Sequence, residues 1–229
     1  MSLRTGLLHR LSDRLDTQPA APVLRVAVDG PDGAGKTTFA DELAEVLRGR
    51  GRSVLRASLD GFHAPRAVRY RRGRTSPEGF YRDSYDLAGV RSALLDPLGP
   101  GGSGRYRTAI FDHTTDSPVD TPELEALPGS LLIVDGLFLH RPELRDVWDD
   151  SVFLRVPFGV SVPRGAARGP GYGSPDPHAE SNRRYVEGNR LYFREADPER
   201  QAGVVVDNAD LTAPFAVRGL PDGPTSAGG

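Results

Sequence analysis

The sequence predicts a single α/β domain in which helices cover both faces of a parallel β-sheet. Three observations support this fold. Short apolar runs alternate with segments of helical spacing, two aspartates directly follow apolar runs, and a glycine-rich turn joins the first run to a helical segment. A chain of 229 residues with 38% hydrophobic residues is long enough for one such domain. We expect the domain to span residues 1–213 and residues 214–229 to form a disordered tail.

The predicted elements follow in chain order. Leucines on one helical stripe predict an N-terminal helix over residues 1–16. Apolar runs predict buried strands at residues 23–28, 54–59, 131–134, 152–156 and 204–206. Helical spacing is found over residues 35–48 and 87–95, and residues 105–111 are typical of an edge strand or a hairpin arm. The polar segment 64–77, with five arginines, is interpreted as an excursion on the substrate side.

Composition excludes several classes of function. The formal net charge is −2, from 29 basic and 31 acidic residues, so no global field attracts nucleic acid or an anionic membrane. There is no cysteine, which excludes disulfides, thiolate metal sites and thiol nucleophiles and suits a cytoplasmic location. No apolar run approaches the roughly 20 residues that a membrane-spanning helix needs. We therefore expect a small-molecule partner, and a homo-oligomer remains an open alternative.

Residues 30–37 carry the clearest motif, because they fit G-x-x-x-x-G-K-[ST] at every specified position and lie between a predicted strand and a predicted helix. Such a loop turns backbone N–H groups toward phosphates, Lys36 reaches the β and γ oxygens, and Thr37 can ligate Mg²⁺. Lys36 is also the only lysine of the chain. We therefore expect a P-loop NTPase fold that binds ATP and Mg²⁺. The predicted nucleotide-binding residues are Gly30, Asp32, Gly33, Ala34, Gly35, Lys36, Thr37 and Thr38.

Two aspartates at strand ends are candidates for the chemistry. Asp60 ends a strand that we expect to lie next to the strand before the phosphate loop, where a carboxylate accepts the proton of an attacking hydroxyl or helps to hold the metal. Asp135 follows the third strand as a Walker B acid does, so Thr37 and Asp135 are the predicted Mg²⁺ ligands. A turn aspartate that caps the following segment is the structural alternative for Asp135.

These motifs, together with the segments at residues 60–63, 76–86, 134–136 and 205–208, resemble the uridine kinase and phosphoribulokinase family of P-loop kinases, specifically its bacterial uridine kinase-like branch. The resemblance spans about residues 23–210. It implies an adenylate-kinase-like core with a mobile lid at about residues 160–190. It also implies that Asp60 is the catalytic base and that Asp83 binds vicinal ribose hydroxyls through its two carboxylate oxygens.

The resemblance also suggests roles for aromatic and basic residues. Tyr81 and Tyr85 would line the sugar pocket, Phe111 would stack on a base, and His113 would hydrogen-bond the edge of that base. His63 is adjacent to the proposed catalytic base and would orient it or the substrate. The predicted substrate-binding residues are His63, Tyr81, Asp83, Phe111, His113 and Arg190.

The lid departs from the family pattern, because residues 164–173 contain few strong helix formers and few charged residues. Arg164 and Arg168 are four residues apart, so we expect them to share a helix face and to bring positive charge onto the transferred phosphoryl group. Arg183, Arg184 and Arg190 are further candidates for this charge, and a solvated surface face is the structural alternative for them.

The favoured function is an ATP-dependent kinase for the 5′-hydroxyl of uridine, cytidine or a related nucleoside. A same-fold kinase for pantothenate, a sugar phosphate, glycerate or a specialised nucleoside-like metabolite is the first alternative. The arginines of residues 66–74 support it, since they would steer an anionic group. A nucleotide-binding regulator with little transfer activity is the second alternative. A guanine-nucleotide switch is disfavoured, because the chain has no N-K-x-D motif.

Overall fold

The computed structural model describes residues 2–18, 22–169 and 173–221. Helices and strands are numbered in chain order. The helices are α1 (Leu3–Asp16), α2 (Lys36–Gly49), α3 (Arg66–Arg69), α4 (Pro77–Asp83), α5 (Leu87–Val90), α6 (Phe158–Ala166), α7 (Glu180–Ala196) and α8 (Pro198–Gln201). The strands are β1 (Val23–Asp29), β2 (Val54–Ser58), β3 (Arg105–Tyr106), β4 (Phe111–Asp112), β5 (Ser117–Pro118), β6 (Leu124–Glu125), β7 (Ser130–Asp135), β8 (Asp150–Arg155), β9 (Val204–Asp207) and β10 (Phe215–Arg218).

The central sheet has six strands in the order β10-β9-β8-β1-β7-β2, and only the β9–β10 pair is antiparallel. Every residue of β1 and β7 is buried, as expected for central parallel strands that helices cover on both faces. The predicted α/β P-loop NTPase fold and its five predicted strands are confirmed. One expectation is wrong: β2, which precedes Asp60, is not adjacent to β1, because β7 lies between them.

Two hydrophobic clusters lie on opposite faces of the sheet, because neighbouring residues of a strand point to opposite sides. One cluster contains Leu24, Val26 and Val28 of β1 together with apolar residues of α1 and α2. The other contains Val23 and Ala27 together with the aromatic residues of α4 and α7. The predicted N-terminal helix is confirmed as α1, and α2 confirms the predicted helix after the phosphate loop.

Several predicted segments differ in detail. Residues 87–95 form α5 followed by one π-helical turn. Residues 105–111 contribute β3 and β4, which pair with β6 and β5 in two separate two-stranded sheets. The prediction of a disordered tail from residue 214 is wrong for Phe215–Arg218, which form β10, and residues 222–229 lie outside the described residues. Within the described ranges, no helix is both long and apolar enough to cross a membrane.

Helices α4 and α7 were not predicted, and they pack closely against each other. A Cβ added at Gly188 of α7 would lie 2.6 Å from Cδ1 of Phe80 and 2.9 Å from the carbonyl oxygen of Pro77 in α4. Only glycine allows this approach without a shift of either helix.

The predicted lid region, residues 160–190, comprises most of α6, the undescribed residues 170–172 and the first part of α7.

Candidate active site

The phosphate loop joins β1 to α2 and depends on glycine at two positions. Gly33 and Gly35 have φ angles of +72° and +86°, which side-chain-bearing residues rarely adopt. Gly35 is the N-cap of α2 and no side chain caps the helix, so the first amide groups of α2 have no internal partner. Free amides and the positive end of a helix dipole form an anion site at this loop.

Lys36 lies across the loop that it ends. Its Nζ donates to the carbonyl oxygen of Pro31 over 2.9 Å, so the ammonium is held above the loop where phosphates would bind. The side-chain amide of Asn208 donates to the carbonyl oxygen of Ala34 over 2.7 Å and ties the loop to the end of β9. The predicted nucleotide-binding residues 30–38 therefore form one continuous structure at the carboxyl end of the sheet.

Thr37 and Asp135, the predicted Mg²⁺ ligands, are in direct contact. The Thr37 hydroxyl donates to Oδ2 of Asp135 over 2.7 Å, although 98 residues separate them in the sequence. Arg56 donates to the other oxygen of Asp135 over 2.9 Å. Hydroxyl and carboxylate oxygens are ligands that Mg²⁺ prefers, so the donor set fits this ion. Among the described residues no three His, Asp or Glu side chains form a metal cluster.

Asp60 lies in a short 3₁₀ turn directly after β2, and its carboxylate is exposed. The Tyr85 hydroxyl donates to Oδ1 of Asp60 over 3.3 Å. Burial, together with the negative charges of Asp60 and Asp32, raises the pKa of Tyr85 well above its usual range, so this hydroxyl stays a donor at neutral pH. Burial also raises the pKa of Asp32, and the charge of Asp60 adds to this effect. The carboxylate of Asp60 is therefore close enough to Asp32 of the phosphate loop for its charge to affect the ionisation of Asp32.

The two predicted histidines meet beside Asp60. The imidazole rings of His63 and His113 stack with centroids 4.7 Å apart, and Nδ1 of His63 lies 2.9 Å from the Asp60 carbonyl oxygen. Burial lowers the pKa of His63, and the nearby His113 and Arg69 lower it further. His113 is exposed, whereas Phe111 is buried in β4. His63 and His113 thus lie beside the candidate base, while the ring of Phe111 has little surface to offer to a ligand.

Two of the predicted substrate contacts are engaged by the protein itself. Tyr81 is 1% exposed and packs on Phe138 and Tyr192, so its predicted place on a pocket wall is wrong in this conformation: the residue belongs to the core. Asp83 is buried, and its two carboxylate oxygens accept from Arg71 over 2.5 Å and from Arg72 over 2.9 Å. The carboxylate of Asp83 therefore does not present two free oxygens to a vicinal diol.

The arginines predicted to supply charge from the lid do not come together at one site. Arg164 of α6 donates to the carbonyl oxygen of Asn208 over 2.9 Å and also to that of Ala209. Arg168 is exposed and follows the end of α6 at Ala166, so the expectation that it shares a helix face with Arg164 is wrong. Arg190 pairs with Glu187 on an exposed face of α7 over 2.7 Å. No transfer-site cluster of these three arginines is present in this conformation.

The phosphate loop is also held by hydrogen bonds to buried residues that the sequence analysis missed. One carboxylate oxygen of Asp29 accepts from the amide of Gly30 over 2.7 Å, and the other accepts from the hydroxyl of Tyr192 and lies 2.8 Å from Nδ1 of His140. Asn189 donates to Asp32 over 3.1 Å. Asp29 directly follows an apolar strand, which is the signal that identified Asp60 and Asp135 and that applies equally here.

The geometry of Gly33 gives a testable expectation. A Cβ at this position would lie 2.0 Å from the carbonyl oxygen of Ser161 in α6, and its positive φ disfavours a side chain by a further ~1–2 kcal/mol. We expect Gly33→Ala to abolish binding of a fluorescent ADP analogue and to lower the melting temperature. Gly49→Ala is the control, because a Cβ there meets nothing within 4 Å. Equal ADP binding by the two variants would contradict this role of Gly33.

The chain is similar to solved structures of P-loop kinases. A possible uridine kinase from Bacillus stearothermophilus is 24% identical with a TM-score of 0.69, over 86% of this chain and 96% of that chain. A candidate fructose transport system kinase from Silicibacter sp. TM1040 is 26% identical with a TM-score of 0.65, over 86% and 96%. Phosphoribulokinase from Rhodobacter spheroides is 14% identical with a TM-score of 0.54, over 82% and 71%.

No protein-family model matches the chain, and no curated protein matches it. The structural neighbours nevertheless support the resemblance that the sequence motifs indicate. The chain has the α/β P-loop NTPase fold that uridine kinase-like and phosphoribulokinase structures share.

Proposed function

We propose that the protein is an ATP-dependent kinase that transfers the γ-phosphoryl group to a hydroxyl of a small molecule. The observation that carries this proposal is the common position of the phosphate loop, the Thr37–Asp135 pair and the exposed carboxylate of Asp60 at the carboxyl ends of β1, β7 and β2. Ligands of open α/β sheets bind at these strand ends. The similarity to solved P-loop kinases supports the same reaction class.

Each part of this site has its own role in the proposed phosphoryl transfer. The amides of the phosphate loop and Lys36 hold the β and γ phosphates of ATP. Mg²⁺, when bound at Thr37 and Asp135, supplies positive charge beside the same phosphate oxygens. Asp60 accepts the proton of the acceptor hydroxyl while that oxygen bonds to the γ-phosphorus, and the bond from the γ-phosphorus to the bridging oxygen of ADP breaks. Tyr85 orients Asp60 through its hydrogen bond.

Two acceptor classes fit this mechanism. The sequence resemblance favours the 5′-hydroxyl of uridine or cytidine. The pairing of Asp83 with Arg71 and Arg72 favours the second class, an alcohol that also carries an anionic group, because the carboxylate expected to bind ribose hydroxyls is occupied. Glycerate, pantothenate and sugar phosphates belong to this second class.

An acceptor-dependent ADP-release assay tests the reaction class. The panel contains uridine, cytidine, pantothenate, D-glycerate and ribose 5-phosphate, each with ATP and Mg²⁺. We expect one acceptor class to raise ADP release far above the rate with ATP alone, because acceptors that fit or misfit a polar pocket differ in turnover by orders of magnitude. Tight ATP binding without any acceptor-dependent release would contradict the kinase proposal and would favour a nucleotide-binding regulator.

A further inference from the structure

Three guanidinium groups surround one aromatic ring on the substrate side of the fold. The Cζ atoms of Arg74 and Arg184 each lie 4.9 Å from the ring centroid of Tyr70, and that of Arg69 lies 5.6 Å from it. Arg69, Tyr70 and Arg74 come from α3 and the segment after it, whereas Arg184 comes from α7. We name these four residues the Tyr70 arginine cluster.

The cluster carries more positive charge than the described residues neutralise. Arg69 pairs with Asp116 over 3.2 Å, whereas neither Arg74 nor Arg184 has a carboxylate within salt-bridge distance in residues 2–18, 22–169 and 173–221. Arg184 is only 8% exposed, and it donates a hydrogen bond to the neutral carbonyl oxygen of Arg74. Burial lowers the pKa of Arg184, and the charges of Arg69 and Arg74 lower it further.

The Tyr70 arginine cluster also contains a buried hydrogen-bond donor that lacks a partner. The Nε of Arg69 is buried and has no hydrogen-bond partner. A buried donor without a partner is unfavourable by roughly 1–3 kcal/mol, and more for a charged group. An unneutralised buried guanidinium is likewise unfavourable. The aromatic faces of Tyr70 and Phe80 offset part of this through cation–π contacts with Arg184. A bound anion would satisfy both features at once.

The cluster is linked by contacts to the candidate catalytic residues: Arg69 donates to Asp116 over 3.2 Å, and Asp116 lies in the β4–β5 turn that also carries His113, whose ring stacks on His63. The positive charge of Arg69 acts on the imidazole of His63, whose Nδ1 lies 2.9 Å from the Asp60 carbonyl oxygen. On the other side, the ring of Tyr185 packs on Phe80 with centroids 5.0 Å apart and lies close enough to Asp32 of the phosphate loop to be affected by its charge. An anion at the cluster would therefore lie beside the space where the acceptor hydroxyl meets Asp60.

We propose that the Tyr70 arginine cluster binds an anionic group of the acceptor, a phosphate or a carboxylate, while the hydroxyl of the same molecule faces Asp60. This inference rests on the proposed kinase function and names the substrate class of that site. Asp83 then has a positioning role, because it holds Arg71 and Arg72 and so fixes the segment that carries Tyr70 and Arg74.

Matched pairs of neutral and anionic probes test this inference. Binding of ribose, ribose 5-phosphate, glycerol and D-glycerate is measured by calorimetry with saturating Mg²⁺ and ADP, so that the phosphate loop is already filled. We expect the anionic member of each pair to bind at least about tenfold more tightly than the neutral member, which is the effect of one charge-assisted hydrogen bond. The two pairs distinguish a phosphate from a carboxylate preference.

Three variants assign the binding to the cluster. We expect Arg184→Gln and Arg74→Gln each to weaken binding of the anionic probe by about 10- to 100-fold. Arg74 is exposed, so its variant tests the proposal even if Arg184→Gln unfolds. Arg194→Gln is the matched control, because Arg194 is exposed near the end of the same helix and should leave probe binding unchanged.

The possible outcomes separate this inference from the kinase proposal. No preference for the anionic probes, including no binding of either member of a pair, overturns the inference, and so does anion binding that both cluster variants retain. Uridine-dependent ADP release in that case leaves the kinase proposal standing. Anion binding that depends on the cluster, without ADP release by any acceptor, supports an anion site but contradicts the kinase proposal.

Discussion

The substitution Asp60→Asn is expected to lower phosphoryl transfer by about 10²- to 10⁴-fold, the usual contribution of a general base. Asparagine has the same shape and still accepts the hydrogen bond from Tyr85, but its amide does not take up the acceptor proton. Because Asp60 is exposed and lies outside the phosphate loop, the dissociation constant for ADP should stay close to that of the unmodified protein. The measurements are steady-state transfer rates and a titration with a fluorescent ADP analogue.

Asp146→Asn is the control for this variant, since the Asp146 side chain is 86% exposed and lies away from the strand ends that form the site. It should retain full transfer and full ADP binding. Transfer by Asp60→Asn at the unmodified rate would remove Asp60 from the mechanism. Loss of ADP binding in this variant would instead indicate that Asp60 holds the nucleotide or its metal ion.

The second large effect is expected for Lys36→Ala, which removes the ammonium that lies across the phosphate loop. We expect ADP affinity to fall by about 10- to 100-fold, in line with the loss of a charge-assisted hydrogen bond. Transfer should fall further, by about 10²- to 10³-fold in turnover at saturating ATP, because the lysine also balances charge on the transferred group. Affinity is measured with the fluorescent ADP analogue and turnover by ADP release.

Lys36→Arg provides the matched comparison, because it keeps the charge and changes the shape. A planar guanidinium does not reproduce a compact ammonium at a crowded loop, so we expect only partial recovery of turnover. Full activity of Lys36→Arg would show that charge alone suffices at this position. ADP binding and turnover unchanged in Lys36→Ala would contradict the proposed phosphate site.

The phosphate loop could be predicted from the sequence because the residues of its motif are consecutive. The spacing of Gly30, Gly35 and Lys36 fixes a backbone conformation that depends little on the rest of the fold. Asp60 and Asp135 could be predicted for a related reason, since the end of an apolar strand is visible in the sequence and the carboxyl ends of parallel strands form the ligand edge. The order of the strands in the sheet could not be predicted, because no local pattern shows that β7 lies between β1 and β2.

The surroundings of Asp83 depend on contacts that no local pattern reveals. The arginines at residues 71 and 72 were visible as charges, but their pairing with a buried carboxylate requires α4 to fold back on the segment that precedes it. The same holds for the cation–π contact of Arg184 with Tyr70, which joins residues 114 positions apart. These contacts occupy the carboxylate that the resemblance assigned to ribose hydroxyls, and they could not be predicted from the sequence.

Helix α7 was missed because its buried face mixes polar and apolar residues. Asn182, Arg184, Gly188 and Asn189 are all buried there, so the usual period of apolar residues is interrupted. Each of these residues has a specific partner: Asn189 bonds Asp32, and Gly188 allows contact with α4.

Direct detection of a phosphorylated acceptor tests the central claim most directly. The protein is incubated with ATP, Mg²⁺ and the acceptor panel, and mass spectrometry follows the acceptor that gains one phosphoryl group, in parallel with Asp60→Asn. We expect a phosphorylated product that accumulates with the unmodified protein, equals the ADP released, and is absent or strongly reduced in the variant. Release of ADP without any phosphorylated acceptor, or the same product yield in both proteins, would contradict a kinase that uses Asp60 as its base.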